Sequence, residues 1–187
     1  MPGSTTRVPP ANRSDAGPVN ALLLRVIKLG ARTHNTPNLF ATLARNRGLF
    51  RRWLIFAGAL MPGGKLPRKD TELVILRVSH LTGCAYEADY HGPMGRKAGL
   101  SQAQVDAAAR DEVDPSDWSP RQLAILRATD ELHRDRVIGD ETFASLRDAG
   151  LSDRDLVEFC MLHGHYEMLA GTMNSLGVQR DQHKRKS

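Results

Sequence analysis

A thiol, two carboxylates and an imidazole stand close together in the middle of the sequence. Cys84, Glu87 and His91 lie in one short segment, and Glu72 lies twelve residues before Cys84. If residues 84–98 form a helix, the first three occupy positions i, i+3 and i+7 and share one helix face. Such groups can transfer protons, attack an electrophile or bind a metal. The sequence therefore predicts one chemically active patch.

Each candidate also has a purely structural interpretation. Cys84 follows Gly83 at a predicted helix start, where the helix dipole and free N–H groups favour the thiolate and lower the pKa, but a buried cysteine acts as a small apolar residue. Glu87 and His91 form a weak pair if exposed, whereas a buried carboxylate orients the imidazole and raises its pKa. Glu72, near its helix start, can simply offset the dipole. Burial decides between these interpretations.

A metal site is the less favoured chemistry, because cysteine, glutamate and histidine are an uncommon zinc set and no CxxC or HxxxH pair accompanies them. No metal and no cofactor are expected. His163 and His165 are two residues apart on a predicted helix and point to different sides, so we predict packing or interface roles for them. Four further large side chains are assigned to the core: Trp53, Phe56, Met161 and Met168.

Composition favours one soluble domain. The chain has 187 residues, of which 41% are hydrophobic and 25% charged, and no run of 18 apolar residues suggests a membrane span. The net charge of +5 comes partly from a basic tail without interleaved aromatic residues, so no nucleic-acid partner is expected. Two cysteines do not make a disulfide framework, and the N-terminus lacks an apolar signal segment. We expect a cytoplasmic protein with reduced thiols.

The chain divides into three parts by composition and periodicity. Residues 1–18 are rich in Pro, Ser, Asn and Gly and predict a disordered arm, residues 19–178 a helical domain, and residues 179–187 a basic tail. No segment alternates as a strand would, so the fold class is all-α with orthogonally packed helices. Predicted helices cover 20–31, 39–45, 49–60, 71–81, 84–98, 120–135 and 140–149. A further short helix is predicted after Ser101, and a last long helix runs from Ser152 to about Leu176. Asn38, Asp70, Ser101, Ser119 and Ser152 are the predicted N-caps.

The central residues resemble the carboxymuconolactone decarboxylase and alkyl hydroperoxidase D superfamily. The resemblance rests on Glu72-Leu-Val-Ile-Leu, on Cys84-Ala-Tyr-Glu87 followed by His91, and on Ala98-Gly-Leu-Ser. Flanking segments that start at Pro37 and Gly164 extend it to about residues 19–178. The resemblance implies an all-α homo-oligomer, a trimer or hexamer, with sites near the subunit contacts.

The match also has an informative departure. Alkyl hydroperoxidase D proteins carry a Glu, then Cys-x-x-Cys, then a His four residues after the second Cys. Glu72, Cys84 and His91 match this pattern, but Glu87 stands at the second Cys position, so Cys84 has no neighbouring partner for a disulfide. Cys160 is remote in sequence. The Glu87–His91 pair instead resembles the decarboxylase members, which have a Glu and a His one helical turn apart. These members transfer protons on a carboxylated muconolactone without a cofactor.

Three functional hypotheses follow from the residues and the resemblance. In the first, a cofactor-independent acid/base enzyme acts on a small carboxylated or lactone-like substrate. His91 carries the proton, Glu87 orients it, Glu72 is a second relay carboxylate and Cys84 forms a polar or nucleophilic wall.

In the second hypothesis, a one-Cys hydroperoxidase of the peroxiredoxin type oxidises Cys84 to a sulfenic acid that an external thiol resolves. The third is a non-catalytic oligomeric binding protein. Cys84 is expected to be more reactive than Cys160, which lies in an apolar run and should be buried.

Overall fold

The computed structural model describes residues 5–31 and 35–181, and the elements in these two ranges are all helical. The predicted all-α class is therefore confirmed. No helix in the described ranges has both the length and the apolar character needed to cross a membrane. In the described ranges, a short 3-10 helix at Pro115–Asp117 accompanies nine α-helices: α1 (Arg13–Ala31), α2 (Asn38–Leu43), α3 (Arg47–Leu60), α4 (Arg68–Leu81), α5 (Ala85–Lys97), α6 (Gln102–Ala108), α7 (Pro120–Asp135), α8 (Asp140–Asp148) and α9 (Asp153–Leu176).

Two of the predicted N-caps are wrong. Asn38 is the first residue of α2 and Asp70 lies in the first turn of α4, because a proline precedes each helix as its N-cap. The φ angles of Pro37 and Pro67 are near those of helical residues, whereas their ψ angles are extended. A proline side chain has no hydrogen-bond acceptor, so neither helix has a side-chain cap at this position. The Asp70 carboxylate instead accepts a hydrogen bond from Nε of Arg121 at 2.8 Å.

One compact unit comprises residues 1–62 and 172–187. Its core contains Ala16, Leu24, Ala44 and Phe50. Helix α1 begins at residue 13, inside the segment predicted as a disordered arm, and Gly17 (φ 74°) interrupts its regular geometry. The predicted basic tail lies outside the described residues from position 182 onward.

The second compact unit, residues 63–171, contains all four candidate residues and is organised around α4. Every residue of α4 from 70 to 79 is buried, and this helix contacts α5, α6 and α7. Arg77 is buried here and pairs with both oxygens of Asp130, at 2.5 and 2.9 Å. Its Nη1 also donates to the carbonyl of Arg110 at 2.5 Å. These bonds satisfy the buried cation and hold α4 in place.

Two glycines determine how α5 lies against α4. Gly83 adopts φ 62°, a left-handed conformation that other residues rarely adopt, and it ends α4 so that α5 can start at the next residue but one. Gly95 allows the helices to approach closely. A Cβ at this position would lie 3.1 Å from side-chain carbons of Leu76 and Leu100, and 3.8 Å from the Cβ of Glu72.

The prediction that Met161 and Met168 of α9 are core residues is wrong. Met161 is 48% exposed and Met168 is 50% exposed, whereas Trp53 and Phe56 are half-buried. Cys160, predicted to be buried, is also exposed. Because apolar and polar residues are mixed around α9, its periodicity does not reveal which face packs inward.

Candidate functional site

The four residues singled out in the sequence are all buried in the second unit. Glu72 lies in the second turn of α4, Cys84 is the N-cap of α5, and Glu87 and His91 follow on α5. Their exposed fractions are 0%, 1%, 3% and 5% in that order. Burial at this level excludes the interpretation of Glu87 and His91 as a solvated surface pair.

The imidazole of His91 is held between two carboxylates. Its Nδ1 lies 2.7 Å from Oε2 of Glu72, and its Nε2 lies 3.2 Å from Oε2 of Glu87. A neutral imidazole has one N–H, whereas a protonated one has two. Carboxylates only accept hydrogen bonds, so both contacts are satisfied together when His91 is an imidazolium.

The electrostatics of the site support the charged form of His91. Burial by itself would lower the pKa of His91, but hydrogen bonds to Glu72 and Glu87, together with their charges, raise it to about 9. At neutral pH the ring therefore carries a proton that it can donate. The raised pKa favours His91 as a proton donor, whereas the sequence alone left its protonation state open.

Stability should depend on pH through this ring. The folded protein keeps the His91 proton up to a pH of about 9, while the unfolded chain releases it near 6.5. The stabilisation is complete below pH 6.5 and is lost as the pH rises through 9, a change of about 3 kcal/mol. Urea unfolding at a series of pH values measures this decline, and a flat profile would contradict the geometry.

Arg68 is a member of the site that the sequence analysis missed. Its Nη2 lies 2.6 Å from Oε1 of Glu72, one helical turn away, in an ion pair that lacks good hydrogen-bond alignment. The Arg68 side chain is 45% exposed and Glu72 is fully buried. A basic residue four positions before the candidate glutamate was the available signal. Charges alternate along Arg68, Glu72, His91 and Glu87.

Five aromatic rings stand beside these charges, and we call them the ring row: Tyr86, Tyr90, His91, Tyr166 and His165. Consecutive ring centroids are 6.2, 6.3, 5.3 and 5.3 Å apart. The row contains all three tyrosines of the chain. Tyr166 meets His91 edge to face, and burial raises its pKa well above the usual value. In the sequence, Tyr166 is distinguished only by its place in the flanking segment that starts at Gly164.

The Cys84 thiol is not activated in the way that its helix position suggested. Burial raises its pKa to about 11, which outweighs the lowering effect of the backbone N–H of Glu87, and the Glu87 charge raises the pKa further. Partial burial also raises the pKa of Cys160, but this residue is exposed. The expectation of a helix-stabilised thiolate at Cys84 is therefore wrong, because desolvation outweighs the helix terminus.

The reactivity order of the two cysteines should consequently be the reverse of that predicted from the sequence. Limiting iodoacetamide is expected to modify Cys160 before Cys84, since an alkylating reagent must reach the sulfur and meet a thiolate. Mass spectrometry of peptides after short labelling times measures the order. Denatured protein is the control, in which both thiols should react at similar rates. Faster labelling of Cys84 in the folded protein would refute this expectation.

The remaining histidines of α9 have separate surroundings. His163 is buried, and its Nε2 lies 3.9 Å from Oε1 of Glu167, which His133 contacts at 2.6 Å. Burial lowers the pKa of His163 and also that of His165, whose ring belongs to the ring row. In the part of the chain that the structure describes, no group of three or more His, Cys, Asp or Glu side chains is arranged to hold a metal ion.

The sequence comparisons give a family match in the central part of the chain. Residues 47–131 match the sequence model of the carboxymuconolactone decarboxylase family. The matched region contains Glu72, Cys84, Glu87 and His91. No curated protein matches the chain.

Solved structures share the fold at low sequence identity. An uncharacterized peroxidase-related protein from Ralstonia eutropha JMP134, described as an alkylhydroperoxidase AhpD core, has a TM-score of 0.81 and 22% identity over 95% of this chain and 93% of its own. One from Silicibacter sp. TM1040 has a TM-score of 0.78 and 18% identity, with 95% of both chains covered. The debrominase Bmp8 has a TM-score of 0.75 and 17% identity over 96% of this chain and 94% of its own.

The structural relatives establish the fold, and the family match covers the segment that carries the candidate site. Both findings agree with the resemblance in the central motif. By sequence, residues 47–131 match the carboxymuconolactone decarboxylase family, and the chain shares the fold of the alkylhydroperoxidase AhpD core.

Proposed function

We propose that this protein is a cofactor-independent enzyme that transfers a proton to a small carboxylated or lactone-like substrate. The observation that supports this proposal most directly is the buried imidazolium of His91 between Glu72 and Glu87. A positioned acid in a buried site typically contributes about 10²–10⁴-fold to a rate. The family match and the resemblance to its decarboxylase members support the choice of substrate class.

A decarboxylation shows how this arrangement would act. When the bond between the substrate carbon and its carboxylate breaks, CO2 leaves and the bonding electron pair remains on carbon. The His91 imidazolium donates its proton to that carbon and becomes a neutral imidazole. Glu72 and Glu87 keep the ring in place, and their charges favour its reprotonation from solvent before the next turnover.

The test is deuterium incorporation. The protein is incubated with carboxymuconolactone in D2O, and NMR follows the product and the deuterium at the carbon that lost CO2. Wild type should form product with one deuterium, and His91→Gln should be slower by about 10²-fold or more. His80→Gln, on the same helix as Glu72 but outside the site, is the matched control. Equal rates for wild type and His91→Gln would reject the proposal.

A thiol-dependent hydroperoxidase is the second candidate, supported by the position of Cys84 at the start of α5, where the backbone N–H groups of Glu87 and Tyr86 act to lower the pKa of the thiol. These donors favour a thiolate, whereas burial opposes it. The assay is hydroperoxide consumption with an external thiol. A loss of activity in Cys84→Ser, but not in Cys160→Ser, would favour this candidate. If neither this assay nor the deuterium assay shows turnover, both proposed activities are rejected and the third hypothesis, a non-catalytic binding protein, is favoured.

We also propose a homo-oligomer, as the resemblance implies. On α1, Val19, Leu22, Val26 and Leu29 are 56–74% exposed and recur at heptad-like spacing. β-branched residues alternating with leucine at this spacing are typical of paired helices. Light scattering at micromolar concentration should show a mass above the 20.6 kDa of one chain. Val26→Glu should lower that mass, and a wild-type monomer would refute the proposal.

A further inference from the structure

One carboxylate oxygen of Glu87 contacts His91, whereas the other has no hydrogen-bond partner among the described residues. Oε2 lies 3.2 Å from Nε2 of His91, whereas Oε1 is buried and has no hydrogen-bond partner among the described residues. Glu87 is 3% exposed. A buried charged oxygen without a donor is unfavourable, so such atoms commonly face a ligand or take part in a reaction. Because His91 holds the other oxygen, Oε1 is fixed before a ligand arrives.

The groups near Glu87 are aromatic rings and a polarisable thiol. Its charge acts on the thiol of Cys84 and on the rings of His165 and Tyr166, so these lie within its electrostatic reach. Burial keeps the Cys84 thiol neutral and polarisable. Flat rings and a thiol suit the faces and edges of a planar molecule, because aromatic rings prefer offset or edge contacts with other π systems.

The charge of Glu87 limits which chemical group can meet Oε1. A carboxylate accepts hydrogen bonds and repels an anion, so its partner must be an O–H or N–H donor without negative charge. Arg68, the half-exposed cation of the site, contacts the other glutamate, Glu72. An anionic end of a ligand is therefore not favoured at Glu87.

We propose that Glu87 Oε1 binds the O–H or N–H donor of a small planar molecule, and that the ring row holds the rest of this molecule. Tyr86 and Tyr166, one on α5 and one on α9, are the buried tyrosines that would contact it. The inference does not depend on the proposed function: it concerns a molecule that would lie beside the His91 proton, whether or not that molecule is the substrate.

Calorimetric titration of the full-length protein with phenol and with anisole tests the donor directly. The two probes have nearly the same planar shape, but methylation removes the O–H donor of phenol. Phenol is expected to bind about ten- to hundredfold more tightly, because a buried acceptor rejects an analogue that leaves it unpaired. Equal affinities, or no binding of phenol at millimolar concentration, would overturn the inference.

A pair of variants links the preference to Glu87. In Glu87→Gln the preference for phenol over anisole should shrink to within about threefold, since a charge-assisted hydrogen bond becomes a neutral one. Glu141→Gln, the same change at an exposed position on α8, should keep the full preference. A preference that survives in Glu87→Gln would assign the donor contact elsewhere and overturn the inference. The comparison of probes on wild type remains decisive if that variant does not fold.

The ionisation state of a coloured probe gives an independent readout. 4-Nitrophenol absorbs visible light as the phenolate but not as the phenol, and Glu87 should select the phenol. Binding near neutral pH is therefore expected to reduce the visible absorbance. An increase would show that His91 or Arg68 binds the phenolate, which would overturn the inference. Binding without turnover would refute the proposed function alone, and turnover without a donor preference would refute only this inference.

Discussion

Glu87→Gln is expected to lower turnover by about 10²–10⁴-fold while the protein remains folded. Glutamine has nearly the same shape as glutamate, so the packing around α5 is preserved. It carries no negative charge, and it therefore removes one of the two charges that raise the pKa of His91. With a lower pKa, the ring loses its proton near neutral pH and has none to donate.

Rates and melting curves measured on the same preparations decide this prediction. The substrate is the one that the deuterium assay identifies, and the rate is followed as a function of pH. The variant should lose activity at a lower pH than wild type. Glu141→Gln is the exposed control and should match wild type in both measurements. An unchanged rate in Glu87→Gln would remove this residue from the mechanism.

Replacing His91 with leucine should cost about 3–5 kcal/mol of stability at neutral pH. Leucine fills much of the same volume, but Glu72 and Glu87 then lack the cation between them. Two buried carboxylates without that partner are strongly unfavourable, even though Arg68 forms an ion pair with Glu72.

Urea unfolding of His91→Leu measures this cost. The double variant His91→Leu, Glu87→Leu is the informative comparison, because removing both partners of a buried pair is less harmful than removing one. It should recover part of the lost stability. His80→Leu is the control, because it makes the same histidine-to-leucine change on α4, outside the site. A loss below 1 kcal/mol in the single variant would mean that water reaches the carboxylates.

Most helix positions could be predicted because local chemistry determines them. Ser101 and Ser119 form the capping boxes that the sequence indicated, each with a glutamine three residues later. Gly83 ends α4 as expected. The caps assigned to Asn38 and Asp70 failed because a proline one and three residues earlier occupies the N-cap position. Propensity alone does not locate a helix start to within a few residues.

The candidate site was harder to predict, because its properties arise from tertiary packing. Helical spacing placed Glu87 and His91 on one face, but only the packing of α5 on α4 brings Glu72 to the other ring nitrogen. The pKa of Cys84 depends on desolvation, which no local pattern reports. Tyr166 comes from a helix far along the chain, so its approach to His91 is a property of the fold.

The packing at Gly95 influences the pKa of His91. This residue has no side chain where α5 packs on α4, and any larger residue there would press against Leu76 and Leu100. The separation of the two helices sets the distance between Glu72 and His91, and the strength of their charge interaction depends on that distance. Substitutions in an entirely apolar contact could therefore tune the proton affinity of the imidazole, with every charged residue left in place.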